Sequence, residues 1–129
     1  MHRPRVDAVS VVAADLRASV AFYALLGFEF PPLGGEDKHI EPKRLDNEAR
    51  LMIDDRGLMT SILGQAPTPP SHSTFALACA SANEVDALVK RIGAAGHTVK
   101  KAPWDAFWGQ RYAIVADPDG YMVDLFAPL

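Results

Sequence analysis

The sequence predicts an α+β fold made of two β-α-β-β-β modules, whose curved mixed sheets enclose a cleft. Three observations carry this. A strand–helix–strand order occurs twice, with helix starts 66 residues apart (15 and 81) and helix ends 69 apart (27 and 96). A proline-rich stretch, Gly64 to Ser71, separates the two copies, and its prolines cannot join a central ladder. The chain ends in a hairpin signature, with alternating residues on both sides of Asp119-Gly120. One helix per sheet covers one face only, so the other face must meet a second unit or a ligand.

The first module is expected at about 6–63. VDAVSVVA at 6–13 is β-branched and apolar, the mark of a buried strand. Asp15 suits a helix N-cap. Leu16, Val20, Tyr23 and Leu26 then fall on one helical face. Gly27 suits the left-handed C′ position. A strand at 28–30 is expected to stop at Pro31-Pro32, with a loop at 33–39 and a weak strand at 40–46. Two more strands, 49–53 and 58–63, flank a turn at 54–57. After a linker at 64–72, the second module spans about 73–128. It opens with a strand at 74–79, and Ser81-Ala82-Asn83-Glu84 then reads as a capping box. Val85, Leu88, Val89 and Ile92 form the apolar stripe of the helix, and Gly96 ends it. A short strand at 97–100 leads into an aromatic loop at 102–109. Strands at 111–116 and 121–126 close the hairpin.

The chain is 129 residues long, about one domain. Net charge is −3 and the basic residues are scattered, without the stripe a nucleic-acid binder shows. No run approaches the roughly 20 apolar residues needed to span a bilayer, and the first ten residues lack the apolar segment of a signal peptide. Neither nucleic acid nor membrane is therefore expected as a partner. A single cysteine, Cys79, rules out an intrachain disulfide and fits a reducing, cytoplasmic setting. Cys79 lies in the apolar run STFALACA and reads as a small buried hydrophobe. No G-x-S-x-G and no glycine-rich phosphate loop is present, since no helix signal follows Gly34-Gly35. No catalytic residue is assigned.

VVAADLRASVAFYALLGFEF at 11–30 and WGQRYAIVADPDGYMVDLF at 108–126 resemble the two signatures of the glyoxalase, bleomycin-resistance and extradiol-dioxygenase superfamily, the vicinal oxygen chelate fold. RLMIDD at 50–55 is similar to its middle strand. The resemblance implies a glyoxalase-like fold over about 6–128, and a homodimer with clefts between sheets. It also implies, for the family's enzymes, a divalent ion held by His, Gln or Glu from the first and last strand of each module. Carried onto this chain, those positions are Ala8, Thr74, a residue such as Thr60, Ser61 or Arg50, and Asp124. Asp124 alone matches a family ligand. An aspartate there also suits pairing with Arg111 or Arg50 across the sheet. The histidines, His2, His39, His72 and His97, follow no metal spacing. His39 and His72 are the two whose loops could reach a cleft.

Both tryptophans fall within five residues, Trp104 and Trp108, around Phe107. With Gln110, Arg111 and Tyr112 they form the candidate ligand-binding set: rings for contact area and a few oriented polar groups. Alternation places Trp108, Gln110 and Tyr112 on one face and Arg111 on the other, so only one set looks into the site. The sequence thus points to a metal-independent protein of the bleomycin-resistance type. It would sequester a planar, partly apolar small molecule and need no cofactor. The alternative is a metal-dependent lyase, isomerase or dioxygenase with a displaced ligand set, using a divalent ion at Asp124 with His39 or His72.

Overall fold

A computed structural model describes residue 3, residues 6–68 and residues 74–129. The chain divides into two compact units, Met1–Thr68 and Pro69–Leu129. The α+β class holds, with a three-stranded mixed sheet in the first unit and a four-stranded mixed sheet in the second.

The first unit runs β1 (Ala8–Ala13), α1 (Leu16–Leu25), β2 (His39–Ile40), β3 (Arg50–Asp55) and α2 (Arg56–Leu63), in sheet order β1-β3-β2. β1 lies parallel to β3, and β2 pairs antiparallel with it. Asp15 caps α1 by accepting the Ala18 N–H, and Gly27 follows the helix at φ 100°, where a side chain is disfavoured. Val11, Ala13, Leu51, Ile53 and Ile40 share one face of the sheet by parity, and all are buried. With α1 they enclose Phe22 and Tyr23, both fully buried and packed edge to face at 4.9 Å. Burying such a side chain stabilises by roughly 1.5–3 kcal/mol.

Four expected elements change. Residues 58–63 are helix, not strand. Asp55 accepts the Leu58 N–H as N-cap, Thr60 and Ser61 return their hydroxyls to the Arg56 and Leu58 carbonyls, and Gly64 closes the helix at φ 83°. Asp54 and Asp55, expected in a turn, extend β3 instead. Residues 28–30 are not a strand: the Glu29 carbonyl accepts the Lys43 N–H, and one bond does not make a ladder. The weak strand at 40–46 shrinks to the two residues of β2. Among the described residues the first unit therefore has three strands, one fewer than the β-α-β-β-β pattern has.

The second unit follows the expected β-α-β-β-β order: β4 (Thr74–Ala78), α3 (Ala82–Ala94), β5 (Thr98–Ala106), β6 (Gln110–Ala116) and β7 (Met122–Pro128). The sheet order is β4-β7-β6-β5, with β4 parallel to β7 and the other pairs antiparallel. Ser81 caps α3 through the Glu84 N–H, and Glu84 reaches back to the Ala80 N–H. Val85, Leu88, Val89 and Ile92 are buried, and α3 packs on β5, β6 and β7. The β6–β7 connection is organised by Asp117, whose Oδ1 accepts the N–H groups of Asp119 and Tyr121 at 2.9 Å each.

The expected aromatic loop at 102–109 is mostly strand. β5 continues to Ala106 past two register irregularities, which puts Trp104 inside the sheet opposite Tyr112. Only residues 107–109 form the turn. Gly109 sits at φ 90° with its N–H on the Ala106 carbonyl, the geometry of a three-residue hairpin loop.

Candidate functional site

Strand register sorts the four-stranded sheet into two faces. The Arg111 guanidinium meets Asp86 on α3 at 2.7 and 2.9 Å, so the odd-numbered side of β6 faces the helix. Ala113, Val115, Val123, Leu125 and Ala127 share that face and are fully buried. The opposite face, turned away from α3, carries Trp104 on β5, Gln110, Tyr112 and Ile114 on β6, and Met122, Asp124 and Phe126 on β7. Ala76 lies beside Asp124 on β4.

Aromatic rings dominate this second face. Tyr112 is the hub: Trp104 lies 5.4 Å away, Trp108 5.5 Å and Phe126 6.1 Å, the last in a stacked arrangement. Trp104 and Trp108 are themselves 6.1 Å apart, edge to face. Trp108 is 49% exposed, and its indole N–H donates to the Gln110 Oε1 at 2.8 Å, which fixes the ring's plane. Phe107 touches Trp108 at 5.1 Å but is 97% exposed at the hairpin tip. Lys101 places its Nζ 4.1 Å over the Trp104 ring. Rings in such contacts hold one another rigid, which lowers the entropy lost when a flat molecule joins them.

Asp124 sits within this aromatic wall, 8% exposed. Its Oδ2 accepts the Tyr112 hydroxyl, while its Oδ1 is buried with no partner among the described residues. The Tyr112 phenol is pushed up to about 12, first by burial and then by its bond to Asp124. The hydroxyl therefore stays protonated and remains a donor across the physiological range.

Trp104, Trp108, Gln110 and Tyr112 therefore come together, and Phe107 reaches the same cluster through Trp108. Arg111 does not. It is held between Asp86 and, at 2.5 Å, Asp105, and both partners hold its guanidinium in the charged form. The expected pairing of Asp124 with Arg111 or Arg50 is replaced by Tyr112. Arg50 instead meets Asp7 and Glu41 in the first unit. Phe126 belongs to the wall and was missed, because its place beside Tyr112 depends on register between strands.

The first unit carries a separate polar chain. Ser10 donates to Asp54 Oδ2 at 2.7 Å, Asp54 Oδ1 meets His39 Nδ1 at 2.6 Å, and His39 Nε2 meets Glu41 at 2.7 Å. Glu41 continues to Arg50. The Asp54 carboxylate, then Glu41, raises the His39 pKa above its ordinary value. Asp54 is buried and escaped the sequence reading because it was assigned to a turn. His2 and His72 lie outside the described residues. Cys79 is half-buried, its thiol pushed up first by burial and then by Glu84, which makes it a poor nucleophile.

The family resemblance implies a divalent ion, and the donor set tests that. Ser10 lies opposite Met52 as Ala76 lies opposite Asp124, and Ser10 and Ala76 are offset by the same 66 residues as the N-caps Asp15 and Ser81. Met52 thus holds in the first unit the place Asp124 holds in the second. The four implied positions become Ala8, Met52, Thr74 and Asp124: a methyl, a thioether, a hydroxyl and one carboxylate already bound to a phenol. That set does not fit the imidazole-and-carboxylate site such an ion requires. Among the described residues no group of three or more His, Cys, Asp or Glu is placed to hold a metal ion. Among the described residues, too, no helix is long and apolar enough to cross a membrane.

Comparison with known proteins places the chain. Residues 5–125 match the family described as the Glyoxalase/Bleomycin resistance protein/Dioxygenase superfamily, and the chain belongs to it. It is 31% identical over 125 residues to an uncharacterized protein of Mycobacterium bovis, covering 92% of this chain and 80% of that one. A solved glyoxalase/bleomycin resistance protein/dioxygenase from Nocardioides is 26% identical, with a TM-score of 0.73 over 100% of this chain and 86% of that one. A glyoxalase-related enzyme from Fulvimarina pelagi is 25% identical, with a TM-score of 0.80 over 95% and 87%.

Proposed function

We propose that the protein binds a planar, partly apolar small molecule on the aromatic face of its four-stranded sheet, without a metal ion, in the manner of the bleomycin-resistance branch of its family. The observation that supports this most is the wall of four rings, Trp104, Trp108, Tyr112 and Phe126, fixed edge to face or stacked beside one buried carboxylate. Flat ligands gain contact area on such a wall, and a good ring pair adds roughly 0.5–1.5 kcal/mol beyond area burial. The donor set at the family's metal positions favours binding by shape and stacking over chemistry at an ion.

Both tryptophans lie in the wall, so a bound ring reports itself. Titrating flat heteroaromatic compounds against the protein is expected to quench tryptophan emission saturably. Trp104→Ala should weaken the binding about tenfold, the loss of one well-packed ring contact. Absence of saturable quenching across a broad panel would overturn the proposal. So would elemental analysis of the purified protein showing one tightly held nickel, zinc, manganese or iron ion per chain, which favours the metalloenzyme reading instead.

A further inference from the structure

We infer that the ligand's class is set by Asp124: a flat aromatic compound bearing a protonated nitrogen, whose N–H donates to the free carboxylate oxygen. The inference rests on the binding face proposed above and adds its charge selectivity.

Asp124 stands on the central strand β7 with 8% of its surface exposed. Its strand neighbours on the same face offer no donor: Ala76 lies on one side and Ile114 on the other. The Tyr112 hydroxyl, the one donor it has, is spent on Oδ2. Oδ1 is therefore desolvated without compensation, a state that native interiors rarely keep and that an incoming donor relieves. A neutral N–H would satisfy the lone pair. A cationic N–H also compensates the charge, and hydrogen bonds between ionised partners are roughly twice as strong. The rings that flank Asp124 favour the same class, since the faces of Trp and Tyr attract cations.

Among the described residues, the strands of this sheet carry three cations, Arg111, Lys101 and the exposed Lys100, and none forms an ion pair with Asp124. Arg111 is on the opposite face with Asp86 and Asp105. Lys101 shares Asp124's row, two strands away at roughly 10 Å by strand spacing, and its ammonium is turned onto Trp104. The carboxylate oxygen is left for a ligand.

Three probes of similar shape separate the possibilities by calorimetry at pH 7: 4-aminoquinoline as the protonated N–H donor, quinoxaline as the neutral ring pair without donors, and 1-naphthoate as the anion. The wild-type protein should bind 4-aminoquinoline at least about tenfold more tightly than quinoxaline, the value of one hydrogen bond to a charged group, and 1-naphthoate most weakly. In Asp124→Asn the preference for 4-aminoquinoline over quinoxaline should collapse to within about threefold. Should Asp124→Asn fail to fold, Tyr112→Phe keeps the carboxylate and the ring, and its preference for the cation should persist or grow. Equal affinities for the three probes in the wild type would overturn the charge selectivity and leave the aromatic face standing. A preference that survives Asp124→Asn, or is lost in Tyr112→Phe, would also overturn it. If none of the three binds, the aromatic-face proposal fails and this inference falls with it.

Discussion

Replacing Tyr112 with phenylalanine removes one hydroxyl and leaves every ring contact in place. Asp124 would then keep two buried oxygens without a donor, in place of one. Leaving a buried acceptor unpaired costs about 1–3 kcal/mol, so Tyr112→Phe should lose about 2 kcal/mol of stability at pH 7. A second consequence comes from the phenol's own ionisation. An unfolded tyrosine ionises near pH 10, whereas folded Tyr112 does so at about 12. Between those values the unfolded chain has released a proton that the folded chain still holds, so stability falls as pH rises. Two units correspond to about 2.7 kcal/mol. Because the ring is partly wetted, screening reduces this to about 1–2 kcal/mol. Tyr112→Phe lacks this slope. Urea unfolding at pH 7, 10 and 12 therefore should show the wild type ahead by about 2 kcal/mol at neutral pH and most of that lead gone at pH 12. Equal stabilities at pH 7, or a lead that persists unchanged at pH 12, would refute the reasoning.

Two further predictions concern charge and assembly. His39 between Asp54 and Glu41 should titrate above its ordinary 6.5, so its contribution is complete below that pH and lost as pH rises through the raised value; an NMR titration placing its midpoint at or below 6.5 would contradict the ion-pair geometry, and His39→Gln should flatten the pH dependence of stability. We also propose a homodimer, because the aromatic face of the second unit's sheet carries no helix of its own; light scattering at micromolar concentration should return twice the chain mass, and a compact monomer would refute it.

Local chemistry made much of this fold legible. Asp15 and Ser81 cap the helices where side-chain chemistry places them, Gly27 and Gly96 follow those helices at positive φ, and Asp119-Gly120 lies in the β6–β7 connection. The stretch 58–63 was not legible in this way. Its apolar residues, Leu58, Met59, Ile62 and Leu63, in fact recur at helical spacing around Thr60 and Ser61, a signal too short to settle the element alone, and the Asp55 cap decides for the helix. The extension of β5 through Trp104 was equally hidden, because it depends on pairing with Tyr112 across the hairpin.

The candidate site divides along the same line. Two-residue alternation separates Arg111 from Gln110 and Tyr112 in any strand, so the sequence alone settles that they occupy different faces. Which face meets the helix, that Phe126 stacks on Tyr112, and that Asp124 takes its proton donor from Tyr112 rather than from an arginine are matters of register between strands distant in sequence. Side-chain type fixes what each residue can donate or accept, and only the folded sheet decides which partner is within reach.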